Sequence, residues 1–416
     1  MKILVLGSGA REHAIAVKFA MSDKVSEVIL SPGNDGIAQE FKCVALPNFE
    51  DIADYVKANE ISMVFVGPEQ PLSEGVVDYL SAQNIMAIGP NKLASQIESS
   101  KAFAKDLMKK YDIPTAKYQV FSDYSQAQSY IKNCTYPVVF KADGLAAGKG
   151  VVIVNSQAEA QQELKEFMLD SKFGQAGDKL VIEEFLKGWE TSIFAFCDGN
   201  NFVTTIFSMD HKQLEAGDKG PNTGGMGAIA PIIEAEKYKF DIENKIFSPV
   251  LKGMRESGCP FTGVLYCGLM ITTEGPKVIE FNCRFGDPET QVVLPLLKTD
   301  LVDICQAIAS KKVNDLELLW QDQFAINIVC ASGGYPGKYE KNKVIEVPDI
   351  DKDSKIYYAG VKKTQGKLLT NGGRVLGITS VSYNREELIR KVYSLVENIF
   401  FQGKVIRTDI GQRSQR

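Results

Sequence analysis

Histidine is almost absent from this chain: His13 and His211 are the only two in 416 residues, and tryptophan is equally scarce. The eight cysteines (Cys43, Cys134, Cys197, Cys259, Cys267, Cys283, Cys305, Cys330) are scattered, and no two form a Cys-x-x-Cys pair. A Cys/His zinc site therefore has little to draw on. A basic excess is missing too. The 47 Lys and Arg against 52 Asp and Glu leave a net charge of −5, which gives no support to a nucleic-acid or membrane-surface role. No apolar run approaches the ~18–20 residues that span a bilayer. The four apolar residues before Gly7 are too few for a signal-peptide core. The expectation is a reduced, cytoplasmic, globular enzyme with neither nucleic-acid nor membrane partners.

What is present is length and patterning. A chain of 416 residues exceeds one ordinary core, and domains of ~100–150 residues imply about three. Residues 2–6 read as a strand buried on both faces of a parallel sheet, followed by a helix from about Arg11 to Ala20. A strand at 27–30 ends in Ser31-Pro32-Gly33, and Asn48 with Asp51 three residues on has the form of a helix cap. Ile61–Val66 ends in Gly67-Pro68, and a strand at 85–88 ends in Gly89-Pro90. This alternation predicts a doubly wound α/β domain over 1–100.

The pattern changes after a helix near 91–110. Residues 117–208 hold several strands and two helices, near 124–132 and 156–168, the mark of an α+β module. Residues 209–227 are polar, carry five glycines and lack periodicity, so a structureless functional loop is expected there. A helix near 236–256, strands at 261–271 and 277–282, and helical segments to about 312 follow. Residues 324–416 alternate again as a small C-terminal domain. Lys105, Lys109 and Lys110 read as a solvated helix face.

Five motifs carry chemistry. Gly7-Ser8-Gly9-Ala10-Arg11-Glu12-His13 follows the first strand, where backbone N–H groups and a helix N-terminus can receive an anion. A dinucleotide fingerprint needs Gly or Ala where Glu12 stands, and the second strand lacks the terminal acid that holds a ribose. A tight turn without ligand and a phosphate turn assisted by Arg11 both remain open. Lys141-Ala142-Asp143-Gly144-Leu145-Ala146-Ala147-Gly148-Lys149-Gly150 fails as a P-loop: it is one residue short, and Gly150 replaces the hydroxyl residue. Strand-like segments flank it, so it reads as a glycine-rich turn that carries Lys149 and folds over a triphosphate, with Lys141 as a second charge.

Residues 181–186 (Val-Ile-Glu-Glu-Phe-Leu) with Glu190 read either as an edge strand or as a hinge that pairs with an adenine and a ribose. On the strand 278–284, Glu280, Asn282 and Arg284 share one face, a row suited to a magnesium–phosphate group. Asp210-His211-Lys212 and Gly220–Gly227 form the fifth motif. Its glycines allow close backbone approach, and His211 reads as structural.

Together these strings resemble the ATP-grasp superfamily and, within it, the phosphoribosylamine–glycine ligase family. Val-Gly-Pro-Glu at 66–69, Ala-Ser-Gly-Gly-Tyr-Pro-Gly at 331–337 and Thr-Asn-Gly-Gly-Arg-Val-Leu at 370–376 extend the likeness over nearly the whole chain. The resemblance implies a pre-ATP-grasp domain (1–100), an ATP-grasp domain (101–315) with a lid at about 117–190, and a C-terminal domain (324–416). It implies that ATP, with Mg2+ or Mn2+, activates glycine as an acyl phosphate that 5-phosphoribosylamine then attacks.

By the same resemblance Lys101, Lys141, Gly148, Lys149 and Gly150 serve the ATP phosphates, and Glu183, Glu184, Phe185, Leu186 and Glu190 the nucleoside. Glu280 and Asn282 hold the metal. Gly7, Gly9, Arg11, Glu12 and Glu69 receive the sugar phosphate, and Asn222, Thr223 and Gly224 bind substrate. Asp210, Arg284 and Asp287 line the acyl site, with Lys149 also catalytic. The chain departs from many superfamily members at 264–271, Val-Leu-Tyr-Cys-Gly-Leu-Met-Ile, which lacks a second metal carboxylate. A monomer or weak dimer is expected. The rivals are an ATP-grasp enzyme using formate or bicarbonate, a nicotinamide oxidoreductase, and a nucleotide-binding module without catalysis.

Overall fold

The computed structural model describes residues 1–145, 150–170, 174 and 179–412. Gly148 and Lys149 lie outside the described residues. The opening apolar run is fully buried, with Ile3, Leu4 and Val5 at 0% exposure. That is the environment of a central parallel strand, covered by helices on both faces. It forms β1 (Lys2–Gly7) of a five-stranded parallel sheet with β2 (Glu27–Pro32), β3 (Lys42–Cys43), β4 (Ile61–Val66) and β5 (Ala87–Ile88), in the order β3-β2-β1-β4-β5. Strand order reverses between β1 and β4, and the carboxyl ends at such a point open a ligand crevice. Gly7 and Gly67-Pro68-Glu69 stand there. Asn48 caps the helix Phe49–Ala58 by accepting the Asp51 N–H at 2.8 Å, as its spacing predicts.

The helix expected near 91–110 is two, Gln96–Ser99 and Lys101–Lys110, broken at Ser100, whose extended backbone lets its Oγ accept the Phe103 N–H. Next comes an antiparallel sheet of β6 (Tyr118–Phe121), β7 (Val138–Ala142), β8 (Val151–Val154) and β9 (Leu180–Glu184), ordered β6-β9-β7-β8. Helices Tyr124–Ile131 and Gln157–Met168 cover it, and Ile131, Phe140, Leu164, Phe167 and Ile182 give it a core of its own. A second antiparallel sheet, ordered β11-β10-β16-β17, is built from β10 (Trp189–Asp198), β11 (Phe202–Thr204) and, later in the chain, β16 (Thr262–Thr272) and β17 (Gly275–Asn282).

The stretch 209–227, expected to be structureless, is organised. It holds β12 (Met209–Asp210) and the hairpin β13 (Gln213–Glu215)–β14 (Lys219–Asn222), and leads into β15 (Gly227–Ala230). β16 and β17 follow and close the second sheet. The C-terminal part supplies β18 (Phe324–Ser332), β19 (Ser354–Tyr358), the hairpin β20 (Val361–Thr364)–β21 (Lys367–Thr370), β22 (Arg374–Ser382) and β23 (Lys404–Val405). Its sheet runs β12-β15-β18-β22-β19, with β23 on β18. The stretch 209–227 owes its order mainly to pairing with itself and with β15: β12 pairs with β15, β13 pairs with β14, and the Thr223 and Met226 N–H groups donate to Lys212 O and His211 O. Met226 and Gly227 then join it to β18. Among the described residues no helix is long and apolar enough to cross a membrane.

Candidate active site

A cavity of about 320 Å3 lies where the two antiparallel sheets meet the carboxyl end of the parallel sheet. Alternation along β17 turns Glu280 and Asn282 to the same side, and Arg284 continues the row just past the strand; all three line the cavity. The Glu280 carboxylate has neither a hydrogen bond nor an ion pair among the described residues, although its backbone pairs with Gly268 on β16. Two acceptors, Phe281 O at 3.0 Å and Glu98 Oε1 at 3.2 Å, flank one end of the Asn282 amide and assign its nitrogen to that end, which leaves its carbonyl oxygen as the acceptor for a cation. Among the described residues no group of three or more His, Cys, Asp and Glu is placed to hold a metal. One carboxylate and one amide oxygen nevertheless suit magnesium, which takes few protein ligands when phosphates supply the others.

Lysines form the facing wall. Lys101 donates to Gly144 O at 3.3 Å, and burial lowers its pKa against the pull of Glu280. Lys141 donates to Ile279 O and pairs with Glu183, both at 3.0 Å. Lys105 corrects the solvated-face reading, which suits the exposed Lys109 and Lys110 only. Lys105 is buried, 3.0 Å from Glu183 and 2.8 Å from Thr115 Oγ1. Burial takes its pKa down to about 8, with Glu183 opposing.

Glu183 needs a correction in turn. Its carboxylate lines the cavity between two buried lysines as their counter-ion, a role the sequence did not suggest. Glu184 accepts the Lys117 N–H at 3.0 Å, and Phe185 and Leu186 continue towards Glu190 at the start of β10. The Glu190 carboxylate is 3.3 Å from Lys212.

The third wall joins the parallel sheet to the turn after β17. Arg284 is held by Glu98 at 2.6 Å and Glu69 at 3.2 Å. Burial works to raise the Glu69 pKa, but Arg284 and Arg11 hold it at about 2. Arg11 donates to Phe285 O at 3.1 Å and lies 3.9 Å from Glu69. Glu12, expected to meet the sugar phosphate, instead braces the turn: its Oε2 accepts the Gly9 N–H at 2.7 Å and its Oε1 pairs with Arg11 at 2.5 Å. Gly7 must be glycine here, since its φ is +124° and a Cβ would meet Glu12 Cγ at 2.4 Å. Ser8 and Gly9 border a separate cavity of about 300 Å3, shared with Asp287, Gln291 and Arg374.

Asp210 pairs with Lys212 at 3.1 Å, and both line the main cavity; His211 does not. Both its ring nitrogens are buried without partners, and burial, with Arg407 nearby, holds its pKa at about 4. Thr223 and Gly224 line the main cavity, whereas Asn222 faces another with Tyr335 and Pro336, a correction imposed by the β13–β14 hairpin. Asp287 pairs with Arg374 at 2.9 Å. Arg374 also donates to Gly224 O at 2.6 Å, and Tyr335 Oη accepts the Gly224 N–H at 2.9 Å.

Sequence reasoning missed Glu98, Tyr266, Glu289 and Arg374 and gave Lys212 no role of its own, although all five line the cavity. Glu289 is buried, and burial with the nearby charge of Asp210 takes its carboxyl up to about 7. The Glu280–Arg284 row could have flagged Glu289, five residues further on. Nothing local marks Glu98 or Arg374.

Two antiparallel sheets closing on a cavity, with lysines on one wall and a Glu–Asn–Arg row on the other, define an ATP-grasp protein. The biotin carboxylase domain of a Hydrogenobacter thermophilus 2-oxoglutarate carboxylase shares that fold, with a TM-score of 0.72 at 18% identity over 97% of this chain and 91% of that one. The chain belongs to the phosphoribosylglycinamide synthetase family: residues 1–98 match its N domain, 99–290 its ATP-grasp (A) domain and 325–413 its C domain. It is 46% identical to a phosphoribosylamine–glycine ligase of Caldanaerobacter subterraneus over 99% of each chain. The crystal structure of a Thermotoga maritima phosphoribosylamine–glycine ligase superposes with a TM-score of 0.86 at 34% identity, covering 99% of this chain and 100% of that one.

Proposed function

We propose that this chain is the ligase that joins glycine to 5-phosphoribosylamine at the expense of ATP, giving glycinamide ribonucleotide, ADP and phosphate in purine synthesis. One observation carries this reading. The Glu280–Asn282–Arg284 row faces Lys101 and Lys141 across one cavity, while Glu69, from the parallel sheet, holds Arg284 from the third wall. A phosphoryl donor, an acid and a phosphorylated amine therefore have separate walls around one point.

A carboxylate oxygen of glycine attacks the γ-phosphorus, the bond to the ADP oxygen breaks, and glycyl phosphate forms. The amine nitrogen then attacks the acyl carbon, phosphate leaves, and the nitrogen gives up one proton. Negative charge spreads over the transferring group, so Lys101, Lys141 and Arg284, fixed beforehand by their partners, stabilise it without reorganising. Glu280 and Asn282 would hold the divalent ion, magnesium or manganese, whose charge neutralises the phosphate oxygens. Backbone at 184–186 and the Glu190 carboxylate hold the nucleoside. Arg11 and Glu69 meet the phosphorylated amine, with Thr223 and Gly224 on the same cavity. Asp210 and Asp287 orient glycine.

Residues 1–100 thus form the sugar-phosphate wall, 101–315 the ATP walls and 324–416 the brace behind Asp287. We place the enzyme in the cytoplasm as a monomer or weak dimer. The test is ADP release with 5-phosphoribosylamine generated in situ. Release that requires glycine and the amine together is expected; release driven by formate or bicarbonate overturns the assignment.

A further inference from the structure

Glu98 sits on the short helix Gln96–Ser99, is 8% exposed, and touches three consecutive residues at the end of β17. Its Oε1 accepts from Arg284 Nη2 at 2.6 Å and lies 3.2 Å from the end of the Asn282 amide to which the surrounding acceptors assign the nitrogen. Its Oε2 accepts the Cys283 N–H at 2.7 Å. The geometry follows from the strand period: side chains 282 and 284 share a face, and the N–H of 283 lies between them. We propose that Glu98 is a positioning residue that locks the Arg284 guanidinium and the Asn282 amide into one register. In that role it fixes the distance between the acyl-phosphate site and the metal site. The inference rests on the reading that Asn282 and Glu280 hold the divalent ion.

A plain counter-ion for Arg284 would not need this arrangement, since Glu69 already stands 3.2 Å from the guanidinium. The Asn282 contact matters for a different reason. An Asn amide can present either oxygen or nitrogen to a ligand, and a carboxylate behind it selects the nitrogen for itself. The carbonyl oxygen is thereby turned to the cation. Partners behind a metal ligand act in this way generally, and their loss costs roughly tenfold to a hundredfold in metal affinity.

Glu98→Gln separates the roles, because an amide has one acceptor oxygen and cannot serve Arg284, Asn282 and Cys283 together. Mn2+ binding to the full chain in the presence of ADP is followed by electron paramagnetic resonance. Glu98→Gln is expected to weaken Mn2+ roughly tenfold to a hundredfold, with metal-free ADP binding unchanged. In an Asn282→Ala background the same substitution should add little, since both act through one group. Unchanged Mn2+ binding with only thermal stability lost overturns the proposal, as does full additivity with Asn282→Ala. If Glu98→Gln does not fold, Glu98→Asp carries the test: it keeps the charge but is one methylene too short to span 282–284. Wild-type Mn2+ binding in Glu98→Asp means charge alone suffices, and the proposal falls. No acceptor amine enters this assay, so a failure of glycine-dependent ADP release removes the substrate assignment and leaves the Glu98 test standing.

Discussion

Arg374 Nη2 lies 2.9 Å from Asp287 Oδ2, an ion pair that carries the C-terminal sheet into a cavity whose other walls come from the first three hundred residues. The same guanidinium holds Gly224 O at 2.6 Å and Asp287 O at 2.8 Å, so one side chain ties the turn at Gly224 to the Asp287 segment. Arg374→Ala should lower kcat/KM about 100-fold through misplacement of the two segments. Stability should fall by about 1–3 kcal/mol. Arg374→Lys should restore little, because a single ammonium cannot serve three acceptors in a fork. Steady-state kinetics alongside urea unfolding separates the two effects, and equal activity of the Lys variant and the parent would show that the fork does not matter.

Glu280→Ala addresses the metal assignment. The Glu280 carboxylate has no partner among the described residues, so its removal should change stability by no more than about 0.5 kcal/mol. Turnover should fall by about 10²–10³, the loss of several kcal/mol of charge stabilisation. Near-normal turnover at saturating Mg2+ would refute the assignment.

Glu183→Ala should behave in the opposite way, as a stability variant first. It leaves Lys105 and Lys141 without the carboxylate that lies 3.0 Å from each. Removing one partner of a buried ion pair costs about 3–5 kcal/mol. ATP brings negative charge to the same lysines, so it should raise the melting temperature of the variant more than that of the parent. Equal shifts on adding ATP would count against the lysine wall as its phosphate site.

His211 predicts a pH dependence. Its pKa is about 4 in the fold against an ordinary 6.5. Between these values the unfolded chain binds the extra proton, so the stability contribution is complete above pH 6.5 and is lost as pH falls towards 4. The slope from this group reaches about 1.4 kcal/mol per pH unit. Urea unfolding of the parent and of His211→Gln from pH 7 downwards should show the parent losing stability faster. Parallel curves would mean that the imidazole is not held neutral.

The readings that held were local. Buried β1, the Asn48 cap, the Gly7 turn and the Glu280–Asn282–Arg284 row each follow from residues within a few positions of one another, through strand period, cap geometry or the freedom of glycine. The amino-acid sequence determined these by itself, because such rules act over one turn or one strand. What it could not supply was the partner of each charge. Lys105 fits a solvated helix face until Glu183 arrives from β9, and Glu12 resembles a ligand residue until the Gly9 N–H turns back onto it. Glu98 and Arg284 are 186 positions apart, and Arg374 and Asp287 are 87 apart. The order of 209–227 likewise comes from strand pairing, β12 on β15 and β13 on β14, that the lack of periodicity did not announce. Tertiary structure decided these, since a buried charge or an open strand edge is satisfied by whichever distant group the fold delivers, and no local pattern specifies that group.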